Sequence, residues 1–204
     1  TLELKRQEAA ALGFEATPYD ALLDDYEPFA KTAEVSATLA ALRDELTPLV
    51  AQIVASPRQP DGELLEREFA IDAQEAFGKE AAAAIGFDFD AGRLDVTDHP
   101  FCGGAGPRDI RITTRYNAHD FGDAFFSILH EAGHGLYEQG LPPEHFGLPT
   151  GEAVSLGIHE SQSRMWENQV GRSRAFWELF LPKAQARFPS LQGASLDTFY
   201  AAIN

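Results

Sequence analysis

His130, Glu131 and His134 have the residue types and the spacing of a metal site. The histidines are four residues apart, which on a helix of about 3.6 residues per turn leaves them about 40° apart in azimuth. Both imidazoles then reach one point beside the helix, as two ligands of one ion must. Glu131 is turned about 100° from His130, so its carboxylate lies at the edge of that point, in reach of a water but outside the ligand shell. This is the H-E-x-x-H pattern of zinc peptidases, with the glutamate as general base. The bland alternative is a helix carrying two solvated or core histidines and no metal. The flanking residues argue against it. Phe125, Phe126, Ile128, Leu129, Ala132, Leu136 and Tyr137 make the segment apolar around most of its girth, the mark of a buried helix. Two histidines and a glutamate buried there without a shared partner would be costly.

Catalytic zinc takes three protein ligands and keeps one position open, so one ligand must come from a second element. The run Gly157-Ile158-His159-Glu160-Ser161-Gln162-Ser163-Arg164-Met165-Trp166-Glu167 follows a loop of glycine and proline and reads as part of a long helix over 152–170. Two histidines plus one carboxylate leave the metal strongly Lewis acidic. That chemistry favours a glutamate, and by residue type Glu152, Glu160 and Glu167 stay open, with His159 as a further competitor. Glu138, one turn beyond His134, is a candidate acceptor for that histidine's second ring N–H, and Glu167 is the alternative.

Other elements must position these groups. The best strand lies at 109–116, with Ile110, Ile112 and Thr114 on one face and Arg111, Thr113 and Arg115 on the other. It leads through Asn117 and His119 into the histidine helix, which starts near Asp120 and ends at Gly140. Further helices are predicted over 2–12, over 33 to about 55 with Thr32 as cap, from 65 or 69 to 85, over 173–188 and over 196–203. The glycines at 103, 104 and 106 permit turns but lack the spacing of a phosphate loop, and no lysine follows. The whole chain, 1–204, is expected to form a single, mainly α domain, with the metal-site core at about 95–170 and a short sheet beside the metal helix.

With 204 residues, 44% of them apolar, the chain is long enough for one globular core. Its net charge of −16 argues against nucleic acid or an anionic membrane surface as partner. One cysteine, Cys102, excludes an internal disulfide and suits a reducing cytoplasm. No apolar run has the length of a membrane span.

Four stretches together resemble the thermostable carboxypeptidase Taq family of metallocarboxypeptidases. They are His99-Pro100-Phe101, Asp109-Ile110-Arg111-Ile112-Thr113, His130-Glu131-Ala132-Gly133-His134 and His159-Glu160-Ser161-Gln162-Ser163, in the family's order. The resemblance implies a helical, gluzincin-like core with one divalent metal, zinc first and cobalt second. It selects Glu160 as third ligand beside His130 and His134, with Glu131 as catalytic base. It implies release of single amino acids from peptides with a free C-terminus. Arginine is the natural bidentate donor for a carboxylate; the family pattern puts Arg111 in a substrate-groove motif, with Arg115 and His99 as further substrate-binding candidates and Asp109 orienting Arg111. A homodimer is expected, as in full-length relatives. The family's later Ile/Val-Arg-x-x-Ala-Asp and Gln-Asp-x-His-Trp motifs are missing. The chain is therefore expected to be a fragment of a longer enzyme, weakly active or inactive alone, with its oxyanion donor elsewhere. Two rivals stay open: a gluzincin-type endopeptidase or oligopeptidase, and a non-catalytic metal-binding or dimerisation fragment.

Overall fold

Three α-helices begin the chain: α1 at Leu2–Leu12, α2 at Pro18–Leu23 and α3 at Thr32–Val54. The computed structural model describes residues 1–204. Backbone contacts divide it into two compact units, Thr1–Gln59 with Val154–Gly157, and Pro60–Ala153 with Ile158–Asn204.

In the first unit, Thr17 caps α2 by accepting from the Tyr19 N–H, with Pro18 at the first helical position. Thr32 does not cap the next helix as predicted. Lys31 occupies that position, and Thr32 instead donates its backbone N–H and its hydroxyl to Asp20, which ties α3 to α2. No residue of α3 is buried. The returning segment is held by Leu156 N–H to the Tyr26 carbonyl and by Gly157 N–H to the Glu27 carboxylate, both at 2.8 Å.

The second unit is built around one helix. After α4, Ile71–Ala84, come three short strands: β1, Gly92–Val96, β2, Cys102–Gly104, and β3, Ile110–Thr114. The sheet order is β1-β3-β2, with β3 central, parallel to β1 and antiparallel to β2. Ile110, Ile112 and Thr114 are buried and Arg111 is exposed, as the alternation predicts. Thr113 departs from it. It is buried and bonded to the Phe101 backbone: Phe101 N–H donates to the Thr113 hydroxyl, and Thr113 N–H donates to the Phe101 carbonyl.

The histidine helix, α5, spans Phe121–Gln139, one residue after Asp120, whose side chain caps it by accepting from Asp123 N–H. Its side chains point into two cores. Ile128 and Ala132 join Ile110, Ile112, Leu94 and Phe87 on the sheet side. Phe121, Phe125, Phe126 and Leu129 join Phe77 of α4 with Trp177, Phe180 and Phe199 on the other. Those last three belong to α7, Arg174–Arg187, and α8, Leu196–Ile203. Steps of about 100° per residue leave a third face, through residues 127, 130, 131, 134 and 138, for chemistry.

The helix predicted over 152–170 begins later and changes its winding. Glu152 is extended, so α6 runs over Leu156–Arg164, and Met165–Val170 continue as a π-helical turn. Such turns occur often at functional sites. No helix is long and apolar enough to cross a membrane.

Candidate metal centre

Gly133, inside the H-E-x-x-H pattern, lets α6 approach α5. A Cβ built there would lie 2.6 Å from Ser163 Cα and 2.8 Å from the Gln162 carbonyl oxygen. Neither backbone atom can give way cheaply, so only glycine permits this approach. The contact brings Glu160, one turn before Ser163, against the two histidines. Glu160 Oε2 is 3.2 Å from His134 Nε2 and 3.6 Å from His130 Nε2. The three donor atoms all lie within 4.8 Å of one another. Tetrahedral zinc with ligands at about 2.0–2.1 Å needs them about 3.3 Å apart. The donor set fits a divalent ion with little rearrangement.

Charge points the same way. The carboxylates of Glu131, Glu160 and Glu167 surround the two imidazoles, and Arg164 is the one cation bonded to any of them. A dication suits that excess. His134 is held well below the usual histidine range, to about 4, by burial and then by His159 and His130 beside it. A ring that resists protonation keeps its lone pair for a metal. Burial acts to raise the Glu160 carboxyl, but its hydrogen bond from Arg164, the His130 ring and the Ser163 hydroxyl outweigh it and leave it lowered. Glu131 is buried at 6% exposure. That burial pushes its carboxyl up to about 7, with His130 opposing and Glu160 and Glu167 adding to the rise; a dication at the centre acts downward.

Around the donors each side chain has a named partner. His130 Nδ1 lies 2.8 Å from Glu167 Oε2, which turns Nε2 toward Glu160. Arg164 joins the carboxylates of this half, with Nε on Glu160 Oε1 at 2.9 Å and Nη1 on Glu167 Oε2 at 3.1 Å. Glu167 thus partners His130 rather than His134. Glu138 does not reach His134 directly either. His134 Nδ1 meets His159 Nδ1 at 2.6 Å, and His159 Nε2 meets Glu138 Oε1 at 2.7 Å. Glu138 and His159 line a cavity of about 540 Å³ together with Cys102, Gly103, Leu141 and Phe146.

The arginines of the β3 region differ in what they have left to offer. Arg115 gives Nε and Nη2 to Asp123 and Nη1 to the Asp98 carbonyl, pinning the end of β3 to the first turn of α5. Arg111 gives Nε and Nη2 to Asp109, and its side chain is 54% exposed. His99 is exposed, in a loop held by the Thr97 hydroxyl, which accepts from His99 N–H and donates to its carbonyl. Through Thr113 and Phe101 the loop of His99 and the strand of Arg111 are bonded to each other, so two motifs separate in sequence form one structural piece. Tyr116 packs beside the sheet-side core with its hydroxyl buried.

Sequence reasoning overlooked Gly133, Arg164 and the ring of His159 as a partner. Two of the three leave a trace. A glycine in an apolar helix costs about 1 kcal/mol of propensity and asks for a packing reason. Arg164 stands four residues after Glu160 and three before Glu167, the spacing of helical ion pairs.

A family model described as carboxypeptidase Taq (M32) metallopeptidase matches residues 1–204. Thermostable carboxypeptidase 1 of Thermus thermophilus is 52% identical over 186 residues, 91% of this chain and 36% of that protein. Carboxypeptidase 1 of Bacillus subtilis is 38% identical over 204 residues, 100% of this chain and 41% of that protein. The solved M32 carboxypeptidase of Deinococcus radiodurans R1 matches with a TM-score of 0.94 at 42% identity, covering 100% of this chain and 41% of that one. The chain therefore spans 36% to 41% of the length of these relatives. A match that runs through every residue, with the backbone kept as closely as this, makes the chain a member of the carboxypeptidase Taq (M32) metallopeptidase family.

Proposed function

We propose that this chain carries the metal-binding and water-activating core of a metallocarboxypeptidase that releases single amino acids from peptide C-termini. The observation that carries the proposal is the convergence of His130 Nε2, His134 Nε2 and a Glu160 oxygen beside the buried Glu131, in a family of metallopeptidases. His130, His134 and Glu160 would hold the ion. Two imidazoles and a carboxylate suit zinc, with cobalt as substitute. When bound, the metal supplies Lewis acidity, which lowers the pKa of water and polarises a carbonyl.

The chain's own residues do the rest. Glu131 takes the proton of the attacking water and returns it to the leaving amine. Arg164 keeps one Glu160 oxygen occupied, so the other faces the histidines. Arg111 is assigned to the terminal carboxylate of the substrate, since Asp109 occupies Nε and Nη2 and leaves Nη1 for a ligand. Arg115 and His99 are the lesser candidates, Arg115 because its donors are spent on Asp123 and Asp98. The single cysteine supports a reducing, cytoplasmic setting. A homodimer and a longer parent enzyme rest on the family resemblance, and a single domain over 1–204 on the chain's length and composition.

Glu131→Gln is the deciding experiment. In the full-length enzyme, turnover should fall to background while the protein keeps about one zinc per chain, and the unsubstituted enzyme should spare peptides amidated at the C-terminus. Cleavage at internal bonds would turn the assignment to an endopeptidase. Unchanged turnover in the variant would remove Glu131 from the chemistry.

A further inference from the structure

We infer that His159 is a positioning residue, which takes the Nδ1 hydrogen of His134 and so presents the bare Nε2 of that histidine to the metal. This rests on the assignment of His134 as a ligand and goes beyond it. Glu138 sets the order of the hydrogens. An ionised carboxylate only accepts hydrogen bonds, so the 2.7 Å contact between Glu138 Oε1 and His159 Nε2 puts a hydrogen on that nitrogen. A neutral His159 then has a bare Nδ1, which can only accept. The hydrogen in the 2.6 Å contact with His134 Nδ1 must belong to His134. With an ion held by Nε2 and Glu160 Oε2, which face each other at 3.2 Å, a neutral His134 would then carry its one hydrogen on Nδ1 and its lone pair on Nε2.

Each bond fixes the next, and the ring of Tyr137, 4.9 Å from that of His159 between centroids, packs beside the relay. Both nitrogens of His159 are engaged, so it is not itself the third ligand. The two halves of the centre are thereby unequal. His130 leans on the Glu167 carboxylate directly, whereas His134 reaches Glu138 through a second imidazole. Ligand histidines commonly take a carboxylate, backbone carbonyl or water as outer partner; an imidazole is a different solution.

Zinc affinity by chelator competition tests the relay. His159→Phe removes the acceptor and should weaken zinc binding about 10- to 100-fold. His159→Asn supplies a side-chain oxygen for the His134 hydrogen and should restore most of that loss. Glu138→Gln should cost less than His159→Phe and nothing more when added to it, since Glu138 acts only through the ring. In the zinc-loaded protein, ¹⁵N shifts should place the ring hydrogen of His159 on Nε2 and leave Nδ1 bare. The proposal is overturned by parent-like affinity in His159→Phe, by failure of asparagine to rescue, by full additivity of Glu138→Gln, or by a hydrogen on His159 Nδ1. His134→Ala separates the two levels. If that variant binds zinc like the parent, the ligand assignment fails and the relay with it. If it loses zinc while His159→Phe keeps it, the relay alone fails.

Discussion

Two helices of this chain have the same kind of sequence and opposite surroundings. In α3, 23 residues long, Val35, Leu39, Leu42, Leu46, Leu49, Val50 and Ile53 recur at helical spacing, and all are exposed. In α5, 19 residues long, ten residues are buried, and apolar side chains fill a core on each of two faces. Periodicity reports which face of a helix asks for burial and is silent on what covers it. The difference shows most in the polar residues. Around α5 the histidines and Glu138 are part-buried, where an unpaired polar group is costly, and His130, His134 and Glu138 each have a partner. Polar residues on α3 meet solvent and carry no such obligation. Where burial forces satisfaction, chemistry becomes legible.

Removing apolar bulk from each helix breaks the comparison most directly. Leu129 is fully buried within the aromatic core. Leu129→Ala should cost about 3 to 5 kcal/mol, the transfer term plus the cavity left behind, read as a lower urea midpoint at unchanged slope. A loss below about 1 kcal/mol would mean that α5 is not the packed centre of its unit.

Gly133→Ala comes next, and here two principles oppose each other. Propensity favours alanine in a helix by about 1 kcal/mol. Packing forbids it, since the new Cβ would sit 2.6 Å from Ser163 Cα. Packing should win, because both obstructing atoms are backbone. Displacing α6 by about 1 Å should weaken zinc binding and, in the full-length enzyme, lower peptide hydrolysis about 100-fold. A raised melting temperature with unchanged zinc affinity would sink this account of the α5–α6 approach.

Arg164→Met is smaller. It frees one oxygen of Glu160 and releases Glu167 from its second partner without touching a donor atom. Zinc affinity should fall about 10-fold, the low end for loss of a supporting partner. Lys at 164 should recover part of it as a point charge, but not the fork that binds two carboxylates at once.

The sequence made some of this visible and hid the rest for physical reasons. The histidine pair, its glutamate and the strand at Ile110 and Ile112 follow from periods of 3.6 and 2, which are local. The choice among Glu152, Glu160 and Glu167 is not local. Glu160 meets the histidines because Gly133 admits α6 at Ser163, a contact between residues 30 apart in the chain. Glu167, the alternative to Glu138 as outer partner of His134, is found on His130, in a segment wound as π-helix, and no residue in it announces that winding. The cap at Thr32 failed for a similar reason. Asp20, twelve residues earlier, draws both its N–H and its hydroxyl.

The smallest expected effect is on α3, and it sharpens the comparison most. Leu46, at 46% exposure, lies in the middle of the apolar stripe. Leucine and lysine have nearly equal helix propensity, so Leu46→Lys changes the helix little in itself. With about half of Leu46 already in water, the transfer energy left to lose is a fraction of that at a buried leucine. Stability of the 204-residue chain should change by no more than about 0.5 kcal/mol, as for ordinary surface sites. The same substitution at Leu129 would bury an unpaired charge and unfold the unit. A cost at Leu46 approaching that of Leu129→Ala would show that the stripe is covered in solution, and the contrast between the two helices would then be one of degree.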